Sequence, residues 1–123
     1  MNKVFKSLKN AYIGLIYCFK TQRNMIIHTL AGLIVIFVGL LLKITQTGML
    51  FLLTAITLVL AAEAFNTSIE KAIDLYTKDR SELAKISKDV AAGAVLLISF
   101  FAVIVGLIVL GPPLWHFINA ILS

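Results

Sequence analysis

The sequence predicts an all-α integral membrane protein, with three transmembrane helices preceded by an N-terminal amphipathic surface helix. Three observations predict it. Hydrophobic residues make up 60% of the 123-residue chain and mean hydropathy is +1.00, well above the roughly 45–50% apolar content of soluble domains. Three apolar stretches approach the ~20 residues a bilayer-crossing helix needs. All six acids (Glu63, Glu70, Asp74, Asp79, Glu82 and Asp89) lie between residues 63 and 89, leaving the rest of the apolar sequence free of negative charge. The length allows one domain, residues 1–123. A bundle this short has little interior of its own, so a cavity large enough for chemistry needs neighbouring copies, and a homo-oligomer is expected. The single cysteine, Cys18, excludes an intrachain disulfide and reads as a small apolar residue.

The surface helix is expected over about residues 3–20. Phe5, Leu8, Tyr12, Leu15, Ile16 and Phe19 recur at spacings of three and four, with Lys3, Lys6, Lys9 and Lys20 interspersed. A basic amphipathic helix of this kind lies in the membrane interface. No h-region with a nearby small-residue cleavage site follows, so it does not read as a signal peptide. Thr21-Gln22-Arg23-Asn24 is a polar break. The first span follows over about 25–42, with Gly32 and Gly39 on one face as a close helix contact requires. His28, near its start, reads as a hydrogen-bonded interfacial side chain. A short turn over 43–48 leads into the second span, about 48–69, which carries Glu63 in its last third. Asp79 and Glu82 resemble a capping box that restarts a helix there. The third span covers about 90–110, with Ala91-Ala-Gly-Ala94 and Ala102-x-x-x-Gly106 as small-residue packing patches. Gly111-Pro112-Pro113 is expected to end that helix, and Trp115, His116 and Phe117 to anchor it at the interface.

The net charge of +5 marks membrane orientation and not a nucleic-acid partner. Most bases lie at the N-terminus and in segment 71–88; the 43–48 turn holds one and the tail after 110 none. The positive-inside rule then places the N-terminus and the acid-rich segment in the cytoplasm and the C-terminus outside.

The chemistry concentrates in Glu63-Ala-Phe-Asn66-Thr-Ser-Ile-Glu70-Lys-Ala-Ile-Asp74. At helical spacing Glu63, Asn66, Glu70 and Asp74 share one face, and Glu63 and Glu70 stand roughly 10 Å apart along the axis. That separation is too wide for both to hold one ion symmetrically and suits two separate tasks. An intramembrane carboxylate costs at least ~2.5–3.5 kcal/mol on insertion scales and is a functional candidate by default. Glu63, flanked by Ala61, Ala62, Ala64 and Phe65, is placed to act as a general base. Glu70, nearer water, suits a hard divalent cation, since magnesium takes one or two protein carboxylates plus substrate phosphates. Asn66 can orient a carboxylate or a hydroxyl. Lys88-Asp89 offers a cation for phosphate with an acid beside it. A base, a metal and charge neutralisation suffice for phosphoryl transfer. The chain has neither a Gly-x-x-x-x-Gly-Lys-Ser/Thr loop nor a Gly-x-Gly-x-x-Gly run, which removes the ordinary nucleotide-binding folds. On these residues alone three readings stand level: a kinase, a proton-coupled carrier with Glu63 as relay, and a structural subunit whose charges form a solvated loop.

The run Glu63-x-x-Asn66-x-x-x-Glu70-x-x-x-Asp74, followed by Ala84-Lys85-x-x-Lys88-Asp89-x-x-x-Gly93-Ala94-Val95, resembles the signature of the bacterial diacylglycerol kinase family of small integral membrane kinases. Gly14-Leu15 and Arg23-Asn24-Met25-x-x-His28 resemble the N-terminal pattern of its Gram-positive branch, mostly undecaprenol kinases. The resemblance covers essentially the whole chain. It implies a homotrimer in a bacterial plasma membrane, with composite sites at the cytoplasmic interface between subunits. It implies ATP as co-substrate, Mg2+ as cofactor and a membrane lipid as acceptor. Glu63 would accept the proton of the lipid hydroxyl, Asn66 would support it, and Glu70 would hold metal. Lys88, Asp89 and Glu70 would contact ATP, with Asp79, Arg80, Ser81 and Lys3 also assigned to the nucleotide.

Two departures from the family pattern bear on that assignment. The family places a second metal-ligating Glu where this chain has Gln22, and no acid precedes Glu63. A Gln carbonyl can ligate but brings no charge. The family's acid-Tyr-His nucleotide loop is replaced by Asp79-Arg80-Ser81, where Arg80 could contact phosphate or stack on adenine. For the lipid, Glu63, Tyr12 and Leu15 are the expected contacts. The N-terminal helix offers an apolar face with Tyr12 as the one hydroxyl donor on it, favouring undecaprenol over the ester-bearing diacylglycerol.

Overall fold

The computed structural model describes every residue except Met1 and Arg80. Four helices follow in order: α1 Lys3–Thr21, α2 Arg23–Leu41, α3 Gln46–Tyr76 and α4 Glu82–Leu122. Among the described residues there is no strand. The expected all-α membrane architecture is observed, with α2, α3 and α4 each long and apolar enough to cross a bilayer. At about 1.5 Å per residue, the 19 residues of α2 reach ~28 Å, about the thickness of a hydrocarbon core. The 31 residues of α3 and the 41 of α4 exceed it. The charged residues gather at the end of α3 and the start of α4.

Local chemistry sets most of the ends. Asn2 caps α1, its Oδ1 accepting from Val4 N–H at 3.3 Å. Gln22 breaks the chain between α1 and α2 with an extended backbone (φ −105, ψ 111). The end of α2 is a Schellman motif. Ile44 N–H donates to the Gly39 carbonyl and Lys43 N–H to that of Leu40, with Lys43 in the left-handed region at φ 51. Thr45 then caps α3, its hydroxyl accepting from Gly48 N–H at 3.1 Å.

Two sequence expectations at helix ends are corrected. The cap of α4 is Ser81, whose Oγ accepts from Ala84 N–H at 3.1 Å; Asp79 lies outside the helix, its N–H donating to Thr77 Oγ1. Nor do Gly111-Pro112-Pro113 end α4, which runs through both prolines to Leu122. The two prolines leave the Ile108 and Val109 carbonyls without their helical donors. The last four carbonyls of any helix lack helical donors; α4 carries that end from Gly111 on to Leu122 and accepts the two gaps at the prolines.

α3 is the centre of the bundle and packs against all three other helices. Its contact with α2 is an antiparallel hairpin made close by glycine. A Cβ on Gly32 would meet Ile56 Cγ2 at 2.8 Å, and one on Gly39 would meet Met49 Cε at 3.2 Å and Leu52 Cδ1 at 3.5 Å. Both expected glycine contacts of the first span are therefore observed. The small-residue patches of the third span behave differently: Ala91 and Val95 are buried, but a Cβ on Gly93 or Gly106 would meet nothing within the chain. α4 packs on α3 along one stripe and turns the rest of its apolar surface outward, with Leu96, Leu97, Phe100 and Leu107 exposed.

Candidate active site

Glu63 is 3% exposed, buried on α3 along with Leu52, Ala55 and Val59, as is Met25 of α2. Ionised carboxylates are rarely buried without a partner, and here the partner is His28 of α2, with Nε2 3.3 Å from Glu63 Oε1. The sequence reads His28 as a hydrogen-bonded interfacial side chain, with a catalytic role as the lesser alternative. In the fold it is the basic residue that meets the candidate base. One turn on, Thr67 is buried and its hydroxyl donates to the Glu63 carbonyl at 2.9 Å.

Asn66 and Glu70, four residues apart on α3, meet as their spacing predicts: Asn66 Nδ2 donates to Glu70 Oε1 at 3.1 Å. Asn66 Oδ1 is buried and has no protein partner. A buried acceptor without a donor is uncommon. This one stands beside a carboxylate, so the pair presents oxygen atoms suited to a hard cation or a hydroxyl. Among the described residues no three His, Cys, Asp or Glu side chains cluster as a metal site. Gln22 is half-buried in the break between α1 and α2, its Nε2 donating to Thr21 Oγ1 at 3.1 Å. That contact turns the amide nitrogen toward α1.

The charged residues of the α3–α4 connection form a second feature, a cleft of 630 Å³ lined by residues that include Asp74, Thr77, Asp79, Ser81, Lys88 and Asp89. Lys88 Nζ donates to Asp74 Oδ1 at 2.7 Å, tying α4 to α3, and Lys85 Nζ donates to Asp89 Oδ2 at 2.9 Å. The Lys88 hydrogen bond, with the charges of Lys88, Lys71 and Lys78, holds the Asp74 carboxyl below its ordinary value. The Asp89 hydrogen bond raises the Lys85 ammonium. Both pairs are water-facing, and contribute little to stability; their interest is the charge they place around the cleft. Of the expected nucleotide residues, Lys88, Asp89, Asp79 and Ser81 are brought together here. Arg80 lies outside the described residues. Lys3, at the first turn of α1, is exposed and does not line this cleft. Asp74 and Lys85 also line it and had not been singled out for ATP. Their signal was already present, since Lys85 and Asp89 stand at i, i+4.

A third feature is a cleft of 480 Å³ between α1 and α3, lined by Ala11, Gly14, Leu15, Tyr17, Cys18, Ala64, Thr67, Ser68 and Lys71. Of the two α1 residues expected to contact lipid, Leu15 lines this cleft and Tyr12, 65% exposed, does not; Tyr17 also lines it. The small side chains of Ala11, Gly14 and Ala64 are what open the groove, because they leave the two helices without interlocking side chains.

Comparison with known proteins follows the same lines. The model of the family described as Prokaryotic diacylglycerol kinase matches residues 9–110. A Synechocystis sp. protein named diacylglycerol kinase is 45% identical over 109 residues, covering 88% of this chain. This chain spans only 62% of the length of that relative. A Bacillus subtilis protein named undecaprenol kinase is 33% identical over 114 residues, covering 93% of both chains. The family match takes in most of α1, all of α2 and α3, and α4 as far as residue 110, and so contains Glu63, Asn66, Glu70, Lys88 and Asp89. With an all-helical fold, three helices fit to cross a membrane and a family match over most of its length, the chain belongs to the prokaryotic diacylglycerol kinase family.

Proposed function

We propose that this chain is an ATP- and Mg2+-dependent lipid kinase of a bacterial plasma membrane that phosphorylates a membrane-embedded alcohol, undecaprenol in preference to diacylglycerol. The observation that carries the reading is the buried carboxylate of Glu63, on the same helix as Glu70 and as the Asp74 that holds Lys88. In this reading the lipid hydroxyl gives its proton to a Glu63 carboxylate oxygen as its own oxygen bonds to the γ-phosphorus of ATP. The bond from that phosphorus to the β,γ-bridging oxygen breaks, and ADP leaves. Lys88 and Lys85 offset the phosphate charge. Glu70, the Asn66 Oδ1 and the Gln22 carbonyl are the groups that would hold magnesium, whose chemistry is to neutralise charge on the phosphates. Asn66 keeps Glu70 oriented through its amide nitrogen.

The assembly and orientation belong to the same proposal. The outward apolar surface of α4 supplies an area for neighbouring copies, in keeping with a homotrimer and sites shared between subunits. The distribution of Lys and Arg supports a cytoplasmic N-terminus and 71–88 segment, with the C-terminus outside. α1 is the expected surface helix.

The lipid preference rests on the α1–α3 cleft, whose lining is mainly apolar. The Thr67 hydroxyl there is already engaged by the Glu63 carbonyl, so the donors left in the lining are the side chains of Tyr17, Ser68 and Lys71 at its polar edge. The name of the more identical relative makes diacylglycerol the second reading. In matched mixed micelles with labelled ATP, undecaprenol is expected to be phosphorylated with the higher kcat/KM; a clear preference for diacylglycerol would overturn the substrate assignment and leave the kinase standing. Phosphate transfer in detergent, where no gradient exists, separates a kinase from a proton-coupled carrier. The carrier would instead give vesicle uptake driven by a proton gradient without ATP, with much activity kept in Glu63→Asp.

Gln22 yields a further expectation. A hard cation favours a charged oxygen, so Gln22→Glu is expected to lower the magnesium concentration giving half-maximal activity. An unchanged magnesium dependence would remove Gln22 from the metal shell.

A further inference from the structure

We propose that His28 is a positioning residue for Glu63, holding Oε1 so that the other carboxylate oxygen faces the lipid hydroxyl; this rests on the kinase reading. The His28–Glu63 contact joins two different helices, and its register is set by packing well away from it. Gly39 of α2 lies against Leu52 of α3. Eleven residues back along α2 from Gly39 is His28, and eleven residues on along α3 from Leu52 is Glu63. Eleven residues are about three helical turns, so in an antiparallel pair each step returns to the same face at the same level. Gly32 against Ile56 lies between the two points and keeps the helices close. Met25, 1% exposed, fills the space one turn before His28. The histidine is therefore delivered to the carboxylate by the backbone of the hairpin, and not by a chance rotamer.

The exposure of the pair fits a positioning role. Glu63 is 3% exposed and His28 28%, so the carboxylate is the enclosed member and the ring closes one side of it. Nε2 stands 3.3 Å from Oε1, an ion-pair contact just beyond the usual hydrogen-bond range, as catalytic contacts commonly are before substrate closes them. Holding one oxygen fixes the torsion of the carboxyl group, which otherwise rotates broadly about its last bond.

The test uses the full-length protein in detergent micelles, with labelled ATP and saturating undecaprenol. His28→Leu removes both ring nitrogens, whereas His28→Gln returns an N–H donor at similar reach. His28→Leu is expected to lower kcat by about 10²-fold, the scale of a misplaced reacting group, with both KM values little changed. His28→Gln is expected to recover most of the loss. A His28→Leu enzyme as fast as the wild type, or a His28→Gln enzyme as slow as His28→Leu, would overturn the inference. A second measurement needs no His28 variant: the imidazole 15N resonances of His28 are expected to move in Glu63→Gln, and unmoved resonances would overturn it as well. A wild-type protein that transfers no phosphate would remove the kinase reading and this inference together. Transfer by the wild type, lost in Glu63→Gln but intact in His28→Leu, would remove this inference alone.

Discussion

Glu63→Gln is expected to reduce phosphate transfer from ATP to lipid by about 10²–10⁴-fold, the range a positioned general base contributes. Gln keeps the shape of Glu and can still meet His28, but its amide cannot take a proton from a hydroxyl. The variant is expected to fold at least as well as the wild type, since an amide is cheaper to bury than a carboxylate at a position only 3% exposed. The two effects thus part company: thermal unfolding in detergent is expected to be unchanged or raised while turnover collapses. A variant with more than a tenth of wild-type kcat would remove Glu63 from the role of base. Glu63→Asp, which draws the carboxylate back by one methylene, is expected to be nearly as inactive, because the site is defined by packing and cannot follow it.

Lys88→Met is expected to carry the second largest effect. Its ion pair with Asp74 is well formed at 2.7 Å, yet with side chains 39% and 47% exposed it resembles the exposed pairs that contribute about 0.2–1 kcal/mol. Stability is therefore expected to change little. Catalysis is another matter, because removing one donor from developing negative charge costs about 10²–10³-fold in kcat. Asp74 and Asp89 would then stand beside the phosphates with one fewer compensating cation. The measurement is steady-state kinetics against ATP alongside a melting curve. A large loss of stability with kinetics intact would make Lys88 a strut between α3 and α4, and Asp74→Asn would then reproduce it.

The features legible in the sequence are those determined within one or two helical turns. Apolar runs of span length identify the three long helices, because hydrocarbon demands internally paired backbone and apolar surface. The Asn66–Glu70 contact is an i, i+4 pair, predictable from helical geometry alone. Short-range competition was harder to judge: Ser81 takes the cap expected of Asp79, and α4 passes through Pro112 and Pro113, since the balance between broken and orphaned carbonyls depends on what surrounds the helix.

By itself, then, the sequence determined the helices, the concentration of acids in residues 63–89 and the chemistry those acids can perform. Only the tertiary structure decided which side chains face them. His28 and Glu63 are thirty-five residues apart and meet because Gly32 and Gly39 let α2 and α3 close in one register. Lys88 reaches Asp74 because the α3–α4 connection turns the charged start of α4 back along α3. Tyr17 lines the α1–α3 cleft and Tyr12 does not, because the rotation of α1 about its axis is set by its neighbours. In each case the deciding quantity is the register or rotation of one helix against another. Local periodicity leaves that open, and close packing resolves it.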